Sequence, residues 1–146
     1  LIGIGPDAQG HMSSWIGRGL EELGNFLGVN GEGIYSTRPW LEIDQVTGDD
    51  GWSWYTTRPK DDDQRVFFFG MPPAPLADEA TELSLEEATF APAGLASTWL
   101  EVPGEVSQAR ILGSVEPVIV ENREGSSRLV IPQTDLHYAI GLELTF

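Results

Sequence analysis

Cysteine is absent from this chain, which removes disulfides, thiolate nucleophiles and cysteine-type zinc sites together. Histidine is scarce: His11 and His137 are the two copies. They lie far apart in sequence, without the convergent partners that a metal site needs. Positive charge is also in short supply. Eight basic side chains stand against 23 acidic ones, for a net charge of −15. A field of that sign repels phosphate backbones and anionic membrane surfaces, so neither nucleic acid nor membrane is expected as a partner. No apolar run has the length that spans a bilayer. With 146 residues the chain holds one good core, and a complete (β/α)8 barrel, at roughly 250 residues, does not fit.

What is present is turn chemistry and aromatic bulk. Seventeen glycines, ten prolines and an aromatic content of 10% describe a turn-rich β domain rather than a disordered one. The chain opens at Leu1 on a strand-like apolar run, Leu1-Ile2-Gly3-Ile4, and the expectation is a piece of a longer protein. A loop from Gly5 to Gly10 follows. Ile16, Leu20, Leu23 and Leu27 then recur at helical spacing, predicting a helix from Ser13 or Ser14 to Leu27 with Gly28 as its closing glycine. Strand, loop and helix in that order make one unit of a parallel barrel.

Beyond Trp40 the period falls to two. Leu41 to Asp50 reads as a strand and turn, and Trp52 to Thr57 and Arg65 to Gly70 as strands around the charged turn Lys60 to Gln64. The prolines from Pro72 to Pro75 must leave the sheet. Asp78 to Ala91 reads as a strand and Leu95 to Val102 as irregular. Ala109 to Leu112 is a strand that ends in the turn Gly113-Ser114. Val118 to Val120 and Arg128 to Ile131 flank a turn at Glu124 to Ser127 in a hairpin, and Tyr138 to Phe146 alternates as a half-buried closing strand. Together these predict an antiparallel sandwich.

Few arrangements here suggest chemistry. Gly3-Ile4-Gly5-Pro6-Asp7-Ala8 satisfies a dinucleotide-binding spacing. However, Pro6 lacks the N–H that a pyrophosphate needs, Asp7 repels it, and no βαβ unit follows. Asp61-Asp62-Asp63 reads as a solvated turn. Trp52 and Trp54 share one strand face and, with Tyr55, fit either a sandwich core or a sugar-stacking platform.

The most specific signal is a long motif. Ile4-Gly5-Pro6-Asp7 and Gly10, then Val29-Asn30-Gly31-Glu32, Ile34-Tyr35 and Thr37-Arg38-Pro39-Trp40 together resemble a segment of the α-L-fucosidases, retaining glycoside hydrolases of family 29. Gly3 stands where that family usually has asparagine, Gly33 where it has alanine and Ser36 where it has glycine; the last two exchanges look tolerable. The resemblance implies a mainly β chain: a C-terminal antiparallel β-sandwich preceded by the last βα unit of a (β/α)8 barrel. It divides the chain into a barrel remnant plus connector at 1–40 and a sandwich at 41–146.

The family's nucleophile and acid/base residue fall outside the matching region, so no catalytic residue is assigned to this chain. On its own the chain is expected to be inactive, without metal or organic cofactor. Asp7 is the candidate at the substrate rim, because its loop follows a barrel strand. Tyr35, Arg38 and Trp40 are the candidates for the seam between barrel and sandwich. The implied partners are a fucosylated glycan, bound through the barrel, and the rest of the enzyme or a partner chain covering residues 1–28. An extracellular, periplasmic or lysosomal setting is implied by the same resemblance. The rival expectation is a non-catalytic carbohydrate-binding or structural β module.

Overall fold

The computed structural model describes residues 5–40, 47–49, 51–71, 96–134 and 140–146. A helix, α1 (Ser14–Asn30), runs directly into a 3-10 turn at Gly31–Gly33. Nine strands follow among the described residues: β1 (Thr37–Pro39), β2 (Thr47–Gly48), β3 (Ser53–Pro59), β4 (Arg65–Met71), β5 (Thr98–Pro103), β6 (Gln108–Ile111), β7 (Ile119–Arg123), β8 (Ser126–Ile131) and β9 (Ile140–Thr145). They form a five-stranded sheet in the order β1-β3-β4-β9-β6 and a four-stranded sheet in the order β2-β5-β8-β7. Every described pairing is antiparallel.

Alternation along the strands sends one set of side chains between the sheets. Val66 and Phe68 of β4 meet Leu100 and Val102 of β5, Leu129 and Ile131 of β8, and Ile140, Leu142 and Leu144 of β9 in one buried cluster. Trp54 closes this core at one side. Its ring lies so near Gly70, its cross-strand partner, that a Cβ there would fall 2.5 Å from the ring; one at Gly48 in the other sheet would fall 2.8 Å from Nε1. Both glycines are therefore required by the indole, which spans the gap between the sheets.

The second face of the five-stranded sheet is covered as well. Phe67 and Phe69 point away from the main core and are buried with Leu112 beneath Phe26 of α1 and Ile34. The Phe26 and Phe69 rings lie 6.4 Å apart. Two glycines allow this approach. A Cβ at Gly141 would meet Asn30 Oδ1 at 2.0 Å, and one at Gly113, whose φ is +75°, would meet Val29 Cγ1 at 2.3 Å. The helix thus rests its C-terminal end on the sheet, while Ile16, Leu20, Leu23 and Leu27 remain half-buried.

Four sequence readings need correction. Gly28 does not end the helix, which continues to Asn30 because the next residues keep helical backbone angles and pass into the 3-10 turn. The supposedly irregular stretch before Val102 contains β5, an interior strand whose Thr98, Leu100 and Val102 alternate inward. The β7–β8 turn is shorter than expected, with Glu124-Gly125 between the strands and Gly125 at φ +79°. The closing strand is not half-buried: Ile140 to Leu144 are buried on both faces, because α1 lies over one of them. The readings at Leu1 to Ile4, Leu41 to Val46, Pro72 to Pro75 and Asp78 to Ala91, and at His137, lie outside the described residues.

Candidate functional site

The loop before α1 is organised by Asp7. Its Oδ1 accepts the backbone N–H groups of Gln9 at 2.9 Å and His11 at 2.8 Å. Its Oδ2 lies 3.5 Å from His11 Nδ1. The backbone closes the same loop: Asp7 N donates to His11 O and Gly10 N to Asp7 O, with Gly10 at φ +85°. Proline at 6 and a positive φ at 10 suit such a turn. All of these residues are exposed. Asp7 is therefore a loop-shaping carboxylate with one oxygen still directed at an imidazole.

The segment from Asn30 to Trp40 is seated on the sheet by close backbone contacts. Gly31 O accepts N–H groups from Ile34 and Tyr35 at 3.0 and 2.7 Å. Thr57 of β3 donates its hydroxyl to Gly33 O at 2.5 Å, and Thr37 donates to Ile34 O at 2.8 Å. A Cβ at Gly33 would stand 2.7 Å from Phe69 Cζ and 2.9 Å from the Phe67 ring. The alanine usual in the resembling family would thus force these two rings to move. Ser36 holds φ at +58°, a left-handed conformation that suits the family's glycine better than serine. Ser36→Gly should therefore stabilise the fold by about 1 kcal/mol, read as a higher melting temperature.

The three proposed seam residues go to different places. Tyr35 is 60% exposed, with its ring edge against Gly31. Arg38 extends from β1 with Nη2 4.0 Å from Asp63 Oδ1, in register with Arg58, whose Nη2 is 2.9 Å from the same oxygen. Trp40 turns into the sandwich, its ring centroid 6.0 Å from Phe68 and 5.7 Å from Phe146. Thr56 holds its backbone in both directions, accepting Trp40 N–H at its carbonyl and donating its hydroxyl to Trp40 O.

A line of alternating charges crosses the helix-bearing face, and sequence reading missed it. Glu32 in the 3-10 turn pairs with Arg110 of β6 at 2.6 Å. Arg110 also pairs with Glu143 of β9, its direct cross-strand neighbour. Arg65 of β4 reaches Glu143 at 3.5 Å and pairs with Asp62. The available signal was Glu143 at the covered face of an otherwise apolar strand. Burial pulls the Arg110 guanidinium down, but Glu32 and Glu143 more than offset that, leaving its pKa above the ordinary value.

The acidic turn takes part in this network rather than simply facing water. The Arg65 side chain, aided by the backbone N–H groups of Gln64 and Arg65, holds the Asp62 carboxyl below its ordinary 3.8. A depressed folded-state pKa gives stability that is complete above the unfolded value and lost as pH falls through the folded one. Arg65→Gln should therefore move the Asp62 midpoint up towards 3.8, as read by side-chain carboxyl NMR titration.

Trp52 and Trp54 stack at 5.7 Å with planes 21° apart, and both pack against the main core. Tyr55, on the opposite strand face, is 59% exposed. Among the described residues no group of three His, Asp or Glu side chains could hold a metal ion, and no helix is long and apolar enough to cross a membrane.

Comparison with known proteins places this architecture. No family model matches the chain. It is 36% identical over 72 residues to the α-L-fucosidase of Dictyostelium discoideum, a match covering 49% of this chain and 15% of that protein. It is 42% identical over 62 residues to the plasma α-L-fucosidase of Homo sapiens, covering 42% and 13%. The crystal structure of Thermotoga maritima α-fucosidase superposes over 99% of this chain and 30% of its own length, with a TM-score of 0.65 and 20% identity. The chain thus corresponds to a minor part of each relative's length. Sequence and fold together match it to the C-terminal part of an α-L-fucosidase, mainly β, and its helix is consistent with the last unit of a preceding barrel.

Proposed function

We propose that this chain is the C-terminal, supporting portion of a retaining α-L-fucosidase-like glycoside hydrolase, and that the two catalytic carboxyl groups reside in a barrel preceding it in the same protein. The parent reaction is hydrolysis of a terminal α-L-fucosyl linkage through a covalent glycosyl-enzyme intermediate. The observation that carries the reading is the fucosidase-like run Val29 to Trp40, seated on a sandwich whose fold superposes over nearly the whole chain on Thermotoga maritima α-fucosidase.

The sandwich holds the end of α1 through Phe67, Phe69, Leu112 and the Glu32–Arg110 pair. The half-buried stripe of α1 is the surface the barrel covers. The loop shaped by Asp7 then lies at the barrel's catalytic face, where strand-to-helix loops build the active site. Tyr35, with its exposed ring, is the one of the three seam candidates best placed to meet the barrel. Inward packing of Trp52 and Trp54 favours a structural sandwich over a sugar-stacking platform.

An aryl α-L-fucoside tests the reading. The full-length protein should release the aryl alcohol and yield α-configured fucose first, and residues 1–146 alone should release none. A full-length protein that binds fucose without turnover, or hydrolysis by the isolated chain, would overturn it.

A further inference from the structure

A chemically labile dipeptide lies where α1 meets the sheet. Residue 31 is a glycine over which the Tyr35 ring edge lies, 2.8 Å from where a Cβ would stand. Residue 30 is an asparagine, 3% exposed, whose Nδ2 donates to Phe26 O at 3.0 Å and so satisfies a carbonyl of the last helical turn. Asparagine before glycine is the pair most prone to imide formation, since no side chain hinders attack by the following backbone nitrogen. The contacts around the pair restrain it. Asn30 Oδ1 lies against Gly141, its ψ of 3° is set by the helix end, and Gly31 O accepts two N–H groups.

We propose that Asn30–Gly31 is a latent self-modification site, protected only while the end of α1 is docked on the five-stranded sheet. When the helix end lifts, the Gly31 nitrogen attacks Asn30 Cγ and loses its proton to solvent. The N–Cγ bond forms, the Cγ–Nδ2 bond breaks, and ammonia leaves. Water then opens the imide to aspartate or isoaspartate, with no oxidant or reductant involved.

The product does not fit the site that the asparagine left. A carboxylate at residue 30 would face Phe26 O, to which the amide had donated. It would also sit at the negative end of a helix dipole in a buried position. Isoaspartate in addition lengthens the backbone at a glycine that has no spare room. A transient undocking therefore becomes permanent, and the conversion separates the helix from the sandwich.

Peptide mass spectrometry, following the amide-to-acid mass gain at residue 30 in full-length protein held at mildly alkaline pH, tests this. The folded protein should convert at least about tenfold more slowly than the same protein in denaturing urea, as expected for a reaction gated by local opening. Phe26→Ala removes the ring on Phe69 and leaves the Asn30–Gly31 peptide untouched; it should speed conversion several-fold. Should that variant not fold, sub-denaturing urea on the natural sequence should produce the same acceleration. Asn30→Asp should abolish hydrogen-exchange protection in the last turn of α1. Equal rates in folded and unfolded protein, or a rate indifferent to both Phe26→Ala and urea, would overturn the protection. Full exchange protection in Asn30→Asp would overturn the permanent undocking.

Discussion

Gly141→Ala lowers the melting temperature by roughly 6–12 °C, from a loss of about 3 kcal/mol in a domain of this size. The added methyl would begin 2.0 Å from Asn30 Oδ1 and 3.1 Å from Leu112 Cδ1. Neither neighbour can yield easily. Asn30 is fixed by its bond to Phe26 O, and Leu112 is fully buried while its N–H donates to Gly141 O at 2.8 Å. The cheapest relief is to raise the end of α1, which uncovers Phe67 and Phe69. Calorimetry gives the stability loss, and hydrogen exchange across residues 26–31 gives its location. Unchanged protection there would contradict the close approach.

Arg110→Met should cost about 2 kcal/mol, because it leaves the mostly buried Glu143 carboxylate with one longer ion pair, the cost being reduced by solvent at the half-exposed guanidinium. Arg110 joins two elements that share no strand pairing: Glu32 in the 3-10 turn and Glu143 in β9. Glu143 has a side chain 11% exposed and would keep Arg65 at 3.5 Å as its remaining described partner. Glu32 is 45% exposed and simply rehydrates. Glu143→Leu should be milder, at about 1 kcal/mol, since both arginines can turn to water and an apolar side chain suits this face. Urea denaturation separates the two. A costlier Glu143→Leu would mean that the arginines, not the carboxylate, are the groups held in place.

The outline of the sandwich was legible because its strands are short, alternate in hydropathy and are separated by glycine-rich or charged turns. The Arg65 to Gly70 strand and the Ala109 to Leu112 strand agree with the structure to within about one residue. β5 departs from the irregular reading although Thr98, Leu100 and Val102 alternate with Trp99 and Glu101 at a period of two. The covered face of the sheet was harder to see. In Val66-Phe67-Phe68-Phe69 an unbroken apolar run replaces alternation, which is how two-sided burial looks in sequence, whereas Ile140 to Leu144 still alternates and places Gly141 and Glu143 on its covered face. Nothing local indicated that α1 supplies the cover. Contacts of that kind depend on glycines at 113 and 141, far from the helix in sequence, and no period in the chain links them.

The long motif was legible as a likeness, but the jobs of its residues were not. Gly33 is needed by two phenylalanines and Ser36 sits in a conformation better suited to glycine; neither constraint can be read from spacing. The candidate carboxylate Asp7 was identifiable by its place after a strand-like run, whereas its internal bonds to Gln9 and His11 depend on the turn it makes.

The three adjacent phenylalanines of β4 also bear on how the chain avoids self-association before it is finished. Such a run is rich in β-formers and free of proline, so it is adhesive while unpaired. It pairs with β3, which precedes it, but its other neighbour β9 comes far downstream, leaving that edge open until β9 is made. Asp61, Asp62, Asp63 and Arg65 immediately before it act as charged gatekeepers. Asp62 and Asp63, which later anchor arginines in the finished sheet, first serve to keep neighbouring chains apart.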